Sequence, residues 1–125
     1  MPPKQSATLT GAELRLMRVL WKKGEMSVSD IVDALSSKAP LAYTTVMTTM
    51  KVLEEKGYVA HRKESRAFLY TPIVDEETAN QSALEHVLRS FFNNSREKLL
   101  LSLLGNEKIT ATELKKLKKR VSEAK

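Results

Sequence analysis

The chain of 125 residues contains no cysteine. Disulfides, thiolate metal sites and cysteine nucleophiles are therefore excluded, which suits a reducing compartment. Long apolar runs are absent too. The leucine-rich run Leu99–Leu101, resuming at Leu103 and Leu104, falls far short of the roughly 20 residues a membrane span needs. The opening MPPKQSAT has no apolar stretch that would act as a secretory signal, so a cytoplasmic protein is expected, with no membrane insertion. No Gly-rich phosphate loop, nucleophile elbow or carboxylate pair with a supporting histidine occurs. His61 and His86 lack any ligand-like spacing of Asp, Glu or Cys around them and read as structural or solvated side chains. Neither a metal, nor a cofactor, nor an enzyme is expected.

What is present points elsewhere. Hydrophobic residues make up 42% and charged residues 29% of the chain, enough for a packed core under a polar surface. The net charge is +6, an excess that attracts polyanions without identifying one. Residues 1–75 hold 11 basic and 8 acidic side chains, and residues 76–125 hold 10 and 7. The excess is thus evenly spread, and local placement must decide.

Residues 1–8, with Pro2 and Pro3, read as a loose tail. Thr10 and Glu13 form a capping-box pattern, and Leu14, Met17, Leu20 and Trp21 follow at helical spacing, which predicts a helix from Gly11 to Lys23 stopped by Gly24. Ser27 and Asp30 repeat the capping pattern ahead of Val28, Ile31, Val32 and Leu35, the stripe of a second helix. Ser36 to Pro40 is a turn. A third helix is expected from Ala42 to Lys56, with Val46, Met50 and Leu53 inward and Gly57 as its stop. Tyr58–Arg62 and Ala67–Thr71 read as short strands joined by Lys63–Arg66, with Pro72 ending the second.

The third helix and the hairpin carry the functional signal. The helix has Tyr43, Thr44, Thr45, Met47, Thr48 and Lys51 on its outer side, where ordinary surface helices carry Glu and Lys. Threonine costs a helix about 0.5 kcal/mol relative to alanine. Its short hydroxyl and methyl can lie close to phosphates and thymine methyls, which gives that cost a reason. Arg62, Lys63 and Arg66 crowd the hairpin that follows. One element sized for the major groove beside a basic hairpin is the layout of a winged helix-turn-helix. In this reading Thr44, Thr45, Thr48 and Lys51 face the groove, with Met47 among them, while Tyr43, Arg62, Lys63 and Arg66 hold phosphates.

The rest is helical in pattern. Asp75 can cap a helix reaching about Phe92, with Ala79, Ala83, Val87, Leu88 and Phe91 inward. Asn93–Ser95 break it, Ser95 caps Arg96–Leu104, and Gly105 with Asn106 ends that segment. Thr110 and Glu113 start a last helix carrying Leu114, Leu117 and Val121 on one face. About 50 residues is too few for a comfortable independent core, so a second copy of the chain is the simplest cover for Val87, Leu88, Phe91, Leu100, Leu103, Leu104, Leu114, Leu117 and Val121. The lysine-rich run from Leu114 to Arg120 reads as the wet side of that helix or as a further DNA contact. The expected architecture is mainly α with a small β-hairpin wing: a tail over residues 1–8, a winged helix over 9–74 and a helical dimerisation module over 75–125.

Taken in order, AELRLMRVLW, YTTVMTTMKVLEEKGYVAHRKESRAFLYTP and the helical tail resemble the BlaI/MecI penicillinase-repressor family from Leu9 onward. The resemblance implies a homodimeric transcriptional repressor on a palindromic double-stranded operator, with the C-terminal helices dimerising. It also implies release through a sensor-linked peptidase that leads to cleavage in the tail. Two positions depart from the family. The bond matching its Asn-Phe cleavage site is Ser102-Leu103, and Thr44 and Met47 stand where staphylococcal repressors carry basic residues. A different class of function, a winged-helix module that binds another protein through its threonine face, is separable from DNA reading by the salt dependence of duplex binding.

Overall fold

The computed structural model describes residues 8–105 and 110–123, so Asn106 and most of the expected N-terminal tail lie outside the described residues. Helix α1 spans Gly11–Lys23, strand β1 Met26–Ser27, α2 Val28–Ala34 and α3 Tyr43–Glu55. Strands β2 and β3 span Val59–Glu64 and Ala67–Pro72. Then follow α4 Glu76–Phe91, α5 Arg96–Leu104 and α6 Ala111–Glu123.

Local chemistry accounts for the helix ends. In α1 the Thr10 hydroxyl accepts from the Glu13 amide at 3.1 Å, and the Glu13 carboxylate accepts from the Thr10 amide at 2.9 Å. Ser27 and Asp30 reproduce this box on α2, and Thr110 and Glu113 on α6. Gly24 closes α1 with φ of 85°, a conformation that costs any residue with a Cβ. Gly57, at φ of 89°, closes α3 in a Schellman arrangement. Its amide donates to Glu54, and the Tyr58 amide to Leu53, each at 3.0 Å. Tyr58 and Leu53 are both fully buried, so the motif's hydrophobic contact is present as well.

Three differences from the sequence expectation stand out. The wing is longer and its turn tighter: Lys63 and Glu64 belong to β2, with Lys63 opposite Phe68 and Glu64 opposite Ala67. Only Ser65 and Arg66 remain as the turn, and Ser65 takes φ of 55° because a two-residue hairpin needs a left-handed residue to match the strand twist. Secondly, β1 joins the hairpin as a third strand, in the order β1-β3-β2, pairing Met26 with Tyr70 and Ser27 with Leu69. Two residues leave too little periodicity to be seen in a sequence. Thirdly, Ala83 and Phe91, expected inward on α4, are exposed, whereas Ala79 and Leu88 are buried.

The chain divides between His86 and Val87 into two compact units, so the first half of α4 stands with the winged helix although the sequence boundary falls at residues 74 and 75. The core of the first unit gathers Leu16, Met17 and Leu20 of α1, Ile31 of α2, Val46, Met50 and Leu53 of α3, with Tyr58, Val59, Tyr70 and Ala79. Leu16 replaces the half-buried Leu14 as a core residue of α1. In the second unit, Leu100, Leu103 and Leu104 of α5 and Leu114, Leu117 and Val121 of α6 line one apolar groove. All but Leu114 are exposed.

Among the described residues Glu13 is the buried charged one, at 6% exposure, and Lys56 Nζ meets its carboxylate at 2.7 Å. Burial pushes the Glu13 carboxyl up, but the Lys56 hydrogen bond, the Thr10 amide and the lysine charge together outweigh it and hold the group below its ordinary value. The pair ties the start of α1 to the end of α3. Lys56→Met is expected to cost about 1–3 kcal/mol in urea unfolding at neutral pH, since it strands a buried carboxylate. Because the folded-state value is the lower one, the contribution of Glu13 ionisation to the parent's stability is fully present above pH 4.5, the ordinary value, and is lost as pH falls through the depressed value.

Candidate nucleic-acid interface

Helix α3 presents two unlike sides. Val46, Met50 and Leu53 are fully buried, while Tyr43, Thr44, Thr45, Thr48 and Lys51 are exposed. The 3.6-residue period produces that division: each buried residue follows the last by three or four positions, and the intervening positions point away. Met47 is half-buried against the core. It lines, with Tyr43, Val28, Ser29, Arg66 and Phe68, a cleft between the start of α3 and the wing turn.

The threonines are not equivalent. Thr48 Oγ1 donates to the Thr44 carbonyl at 2.9 Å, and Thr49 Oγ1 to the Thr45 carbonyl at 2.8 Å. Their hydroxyl protons are committed within the helix. Each oxygen can still accept, and each methyl is available for apolar contact. Thr44 and Thr45 have no side-chain bond among the described residues and can donate or accept. The face therefore offers acceptors, methyls and two free hydroxyls, the chemistry that meets amino groups, phosphates and thymine methyls. Lys51 adds a cation to it.

The helix is also held in place from outside the core. The Arg15 guanidinium of α1 donates to the carbonyl of Ala39, in the loop leading into α3. At the other end, His61 Nδ1 on β2 lies 2.5 Å from Glu54 on α3. Above it the His61 ring meets Phe68 edge-on at 5.2 Å and Tyr70 at 5.5 Å. His61 thus joins the wing to α3.

The three expected wing cations divide. Arg62 is held by Glu25, with Nε and Nη2 donating at 3.0 and 2.8 Å, and its Nη1 lies 3.0 Å from Glu64. Thr71 donates to the same Glu25 carboxylate at 2.9 Å. The Arg62 and Thr71 hydrogen bonds hold the Glu25 carboxyl below its usual range. Arg62 is thus a brace between the wing and the loop after α1, with two carboxylates against its single charge, rather than an open cation. Lys63 and Arg66 form no ion pair among the described residues, and Lys63 Nζ lies 5.9 Å from the Phe68 ring centre. Nothing in the spacing of Glu25, Arg62 and Thr71 announces the brace, because the three meet only when β1 and β3 pair.

In the second unit, Phe91 is 76% exposed and Leu117 52%. Ser102 and Leu103 lie in the last turn of α5 with helical backbone. His86, Lys115, Lys116, Lys118, Lys119 and Arg120 form no ion pair among the described residues.

Comparison with known proteins agrees with this architecture. A sequence model of the penicillinase repressor family matches residues 9–123. The chain belongs to the penicillinase repressor family, a family of transcriptional repressors rather than of enzymes. It is 29% identical over 114 residues to the penicillinase repressor of Bacillus licheniformis, covering 91% of this chain and 89% of that one. Identity to the methicillin resistance regulatory protein MecI of Staphylococcus aureus is 20% over 110 residues, covering 88% and 89%. The solution structure of the DNA-binding domain of the repressor BlaI superposes with a TM-score of 0.53 at 33% identity, over 60% of this chain and 92% of that domain. The Bacillus licheniformis BlaI monomer, solved in complex with the blaP half-operator, superposes at 0.50 with the same identity and coverage. Both cover a part of the chain compatible with the winged helix, and the fold is that of a winged-helix repressor followed by helices. Among the described residues no helix is long and apolar enough to cross a membrane.

Releasing the brace gives a direct check on the wing. Glu25→Ala is expected to speed amide hydrogen exchange across β2 and β3 several-fold, with little change in the thermal midpoint of the whole chain. Unchanged exchange there would mean the hairpin is held by its ladder alone.

Proposed function

We propose that this family member represses transcription by binding a palindromic DNA operator as a homodimer, α3 entering the major groove and Lys63 and Arg66 holding the adjacent phosphates. The observation that carries this reading is the pairing of an exposed threonine face, with the Thr44 and Thr45 hydroxyls free, and two unpaired wing cations on one braced frame. The BlaI neighbour, a monomer on a half-operator, supports one reading head per half-site. Thr44, Thr45, Thr48 and Lys51 would meet base edges, Met47 and Tyr43 would pack at the cleft beside the phosphate chain, and Arg62 would hold the wing at its working angle. A repressor of this kind acts where the chromosome is, in the cytoplasm, and needs no cofactor.

Dimerisation falls to the second unit. Leu100, Leu103, Leu104, Leu114, Leu117 and Val121 form an apolar groove open to solvent, and Phe91 projects nearby in sequence, following Val87 and Leu88 on α4. A monomer that left this surface wet would be poorly soluble and only marginally stable. A two-fold dimer covers it and sets two α3 helices on half-sites about one helical turn, or a multiple of it, apart. Release would follow from cutting this module. A cut at Ser102-Leu103 would separate Leu103, Leu104 and the last helix from the dimer core, each buried leucine being worth about 1.5–3 kcal/mol. Helical backbone at that bond must first open to enter a peptidase.

Thr45→Ala or Thr48→Ala is expected to reduce discrimination between operator and scrambled duplex by about 1 kcal/mol or more. Lys63→Ala and Arg66→Ala should weaken both duplexes alike, each lowering the slope of log K against log salt by about 0.9, whereas Arg62→Ala should change that slope less. Thr variants that discriminate like the parent would leave α3 as a protein-binding face.

Oligomeric state provides a further check. Because Ala79 is buried with the first unit, the informative truncation ends at His86 rather than at the sequence boundary between residues 74 and 75. Sedimentation should find the full chain dimeric at tens of micromolar and the truncated chain monomeric. A monomeric full chain would remove the two-headed reading. Mass spectrometry of cells induced with a cell-wall-active β-lactam should find the full-length chain lost as its targets switch on.

A further inference from the structure

Trp21 is the single tryptophan of the chain and stands in the last turn of α1. Its indole Nε1 donates to the carbonyl of Val74 at 2.9 Å, across a separation of 53 residues. Val74 belongs to the three-residue link between β3 and α4. Pro72, at the end of β3, has no amide to donate, and past it the strand pairing reaches the link by the single bond at Ile73. The link is instead fixed point by point. The Ile73 amide donates to the Tyr58 carbonyl at 2.9 Å, Trp21 takes the Val74 carbonyl, and Asp75 accepts from the Thr78 amide at 2.8 Å. Trp21 and Val74 both pack against the core, and Ala79 is buried in it.

A ring that only filled space would serve as well as phenylalanine. What tryptophan adds is the donor, and here the donor is spent on the backbone that starts α4. That position has leverage. Helix α4 has 16 residues, and at 1.5 Å per residue it is about 24 Å long. A swing of about 10° at its start moves its far end by about 4 Å, close to one base-pair step.

We propose that Trp21 is a positioning residue for two-headed operator binding: by holding the Val74 carbonyl it sets the direction in which α4 leaves the winged helix, and thereby the half-site spacing the dimer accepts. The inference rests on the dimeric reading above. It predicts that the indole N–H matters little to a single reading head and much to the tolerance of two heads for spacing.

The test uses the full-length chain, Trp21→Phe, and a chain in which Trp21 is replaced by its benzothiophene isostere, which keeps the ring shape without the N–H. With one tryptophan present, that replacement is confined to this site. The probes are an inverted-repeat duplex selected by the parent from a random pool, the same duplex with one to five base pairs inserted at its centre, and a single half-site. Five inserted pairs turn one half-site to the opposite side of the duplex and should cost the parent about 50-fold or more. Both substituted chains should bind the single half-site within about twofold of the parent, while their insertion penalty falls about fivefold. A spacing penalty equal to the parent's, in a parent that is itself selective, overturns this inference alone. Half-site and full-site affinities that fall together would make Trp21 a stabilising residue of the winged helix and also overturn it. A parent indifferent to spacing overturns the two-headed reading and this inference with it. Should Trp21→Phe fail to fold, the isostere carries the comparison.

Discussion

Helix α3 can sit on the core in one rotation, because Val46, Met50 and Leu53 share one side and each is fully buried. Turning the helix by a third of a revolution would bring Thr45 into an apolar core and leave its hydroxyl to be satisfied there, at a cost of about 1–3 kcal/mol. The rotation that buries the stripe is therefore also the one that leaves Thr44, Thr45, Thr48 and Lys51 in water. Packing of the inner side decides the availability of the outer one.

Everything around α3 restrains motions that this packing leaves free. Glu13 and Lys56 oppose sliding between α1 and the C-terminal end of α3. The Arg15 contact with Ala39 steadies the loop at the N-terminal end. His61 and Glu54 couple the wing to the helix, and Arg62 with Glu25 couples the wing to β1's approach. Ion pairs in solvent contribute little to stability. Their geometric effect is larger here, since a duplex can bind α3 and the wing together only if the two keep their distance. Arg62 illustrates the trade: a cation given to Glu25 is lost to phosphate, but it leaves Lys63 and Arg66 on a hairpin of defined position.

The second unit has the opposite character. Its helices begin with sound caps at Ser95 and Thr110, yet most of their leucines remain in water. Capping and periodicity make a helix; they cannot supply a core where the chain is too short to fold back over itself. The contrast between a first unit with many fully buried side chains and a second with few is the physical argument for a partner copy, and it follows from chain length as much as from composition.

The sequence by itself determined the elements and their order. Capping boxes at Thr10, Ser27 and Thr110, the glycines at 24 and 57 and the apolar stripe of α3 act over four to seven residues, so their consequences are local and legible. The same holds for the threonine face, since its position relative to Val46, Met50 and Leu53 is a matter of helical period alone. Contacts across the chain were decided by the tertiary structure: the third strand at Met26, the brace of Glu25 on Arg62 and Thr71, the joint of His61 with Glu54, and the hold of Trp21 on Val74. Each depends on residues brought together by the burial of other residues. Arg62, Lys63 and Arg66 are alike as letters in a basic hairpin. Only the fold, by setting a carboxylate beside one of them, separates the brace from the two free cations.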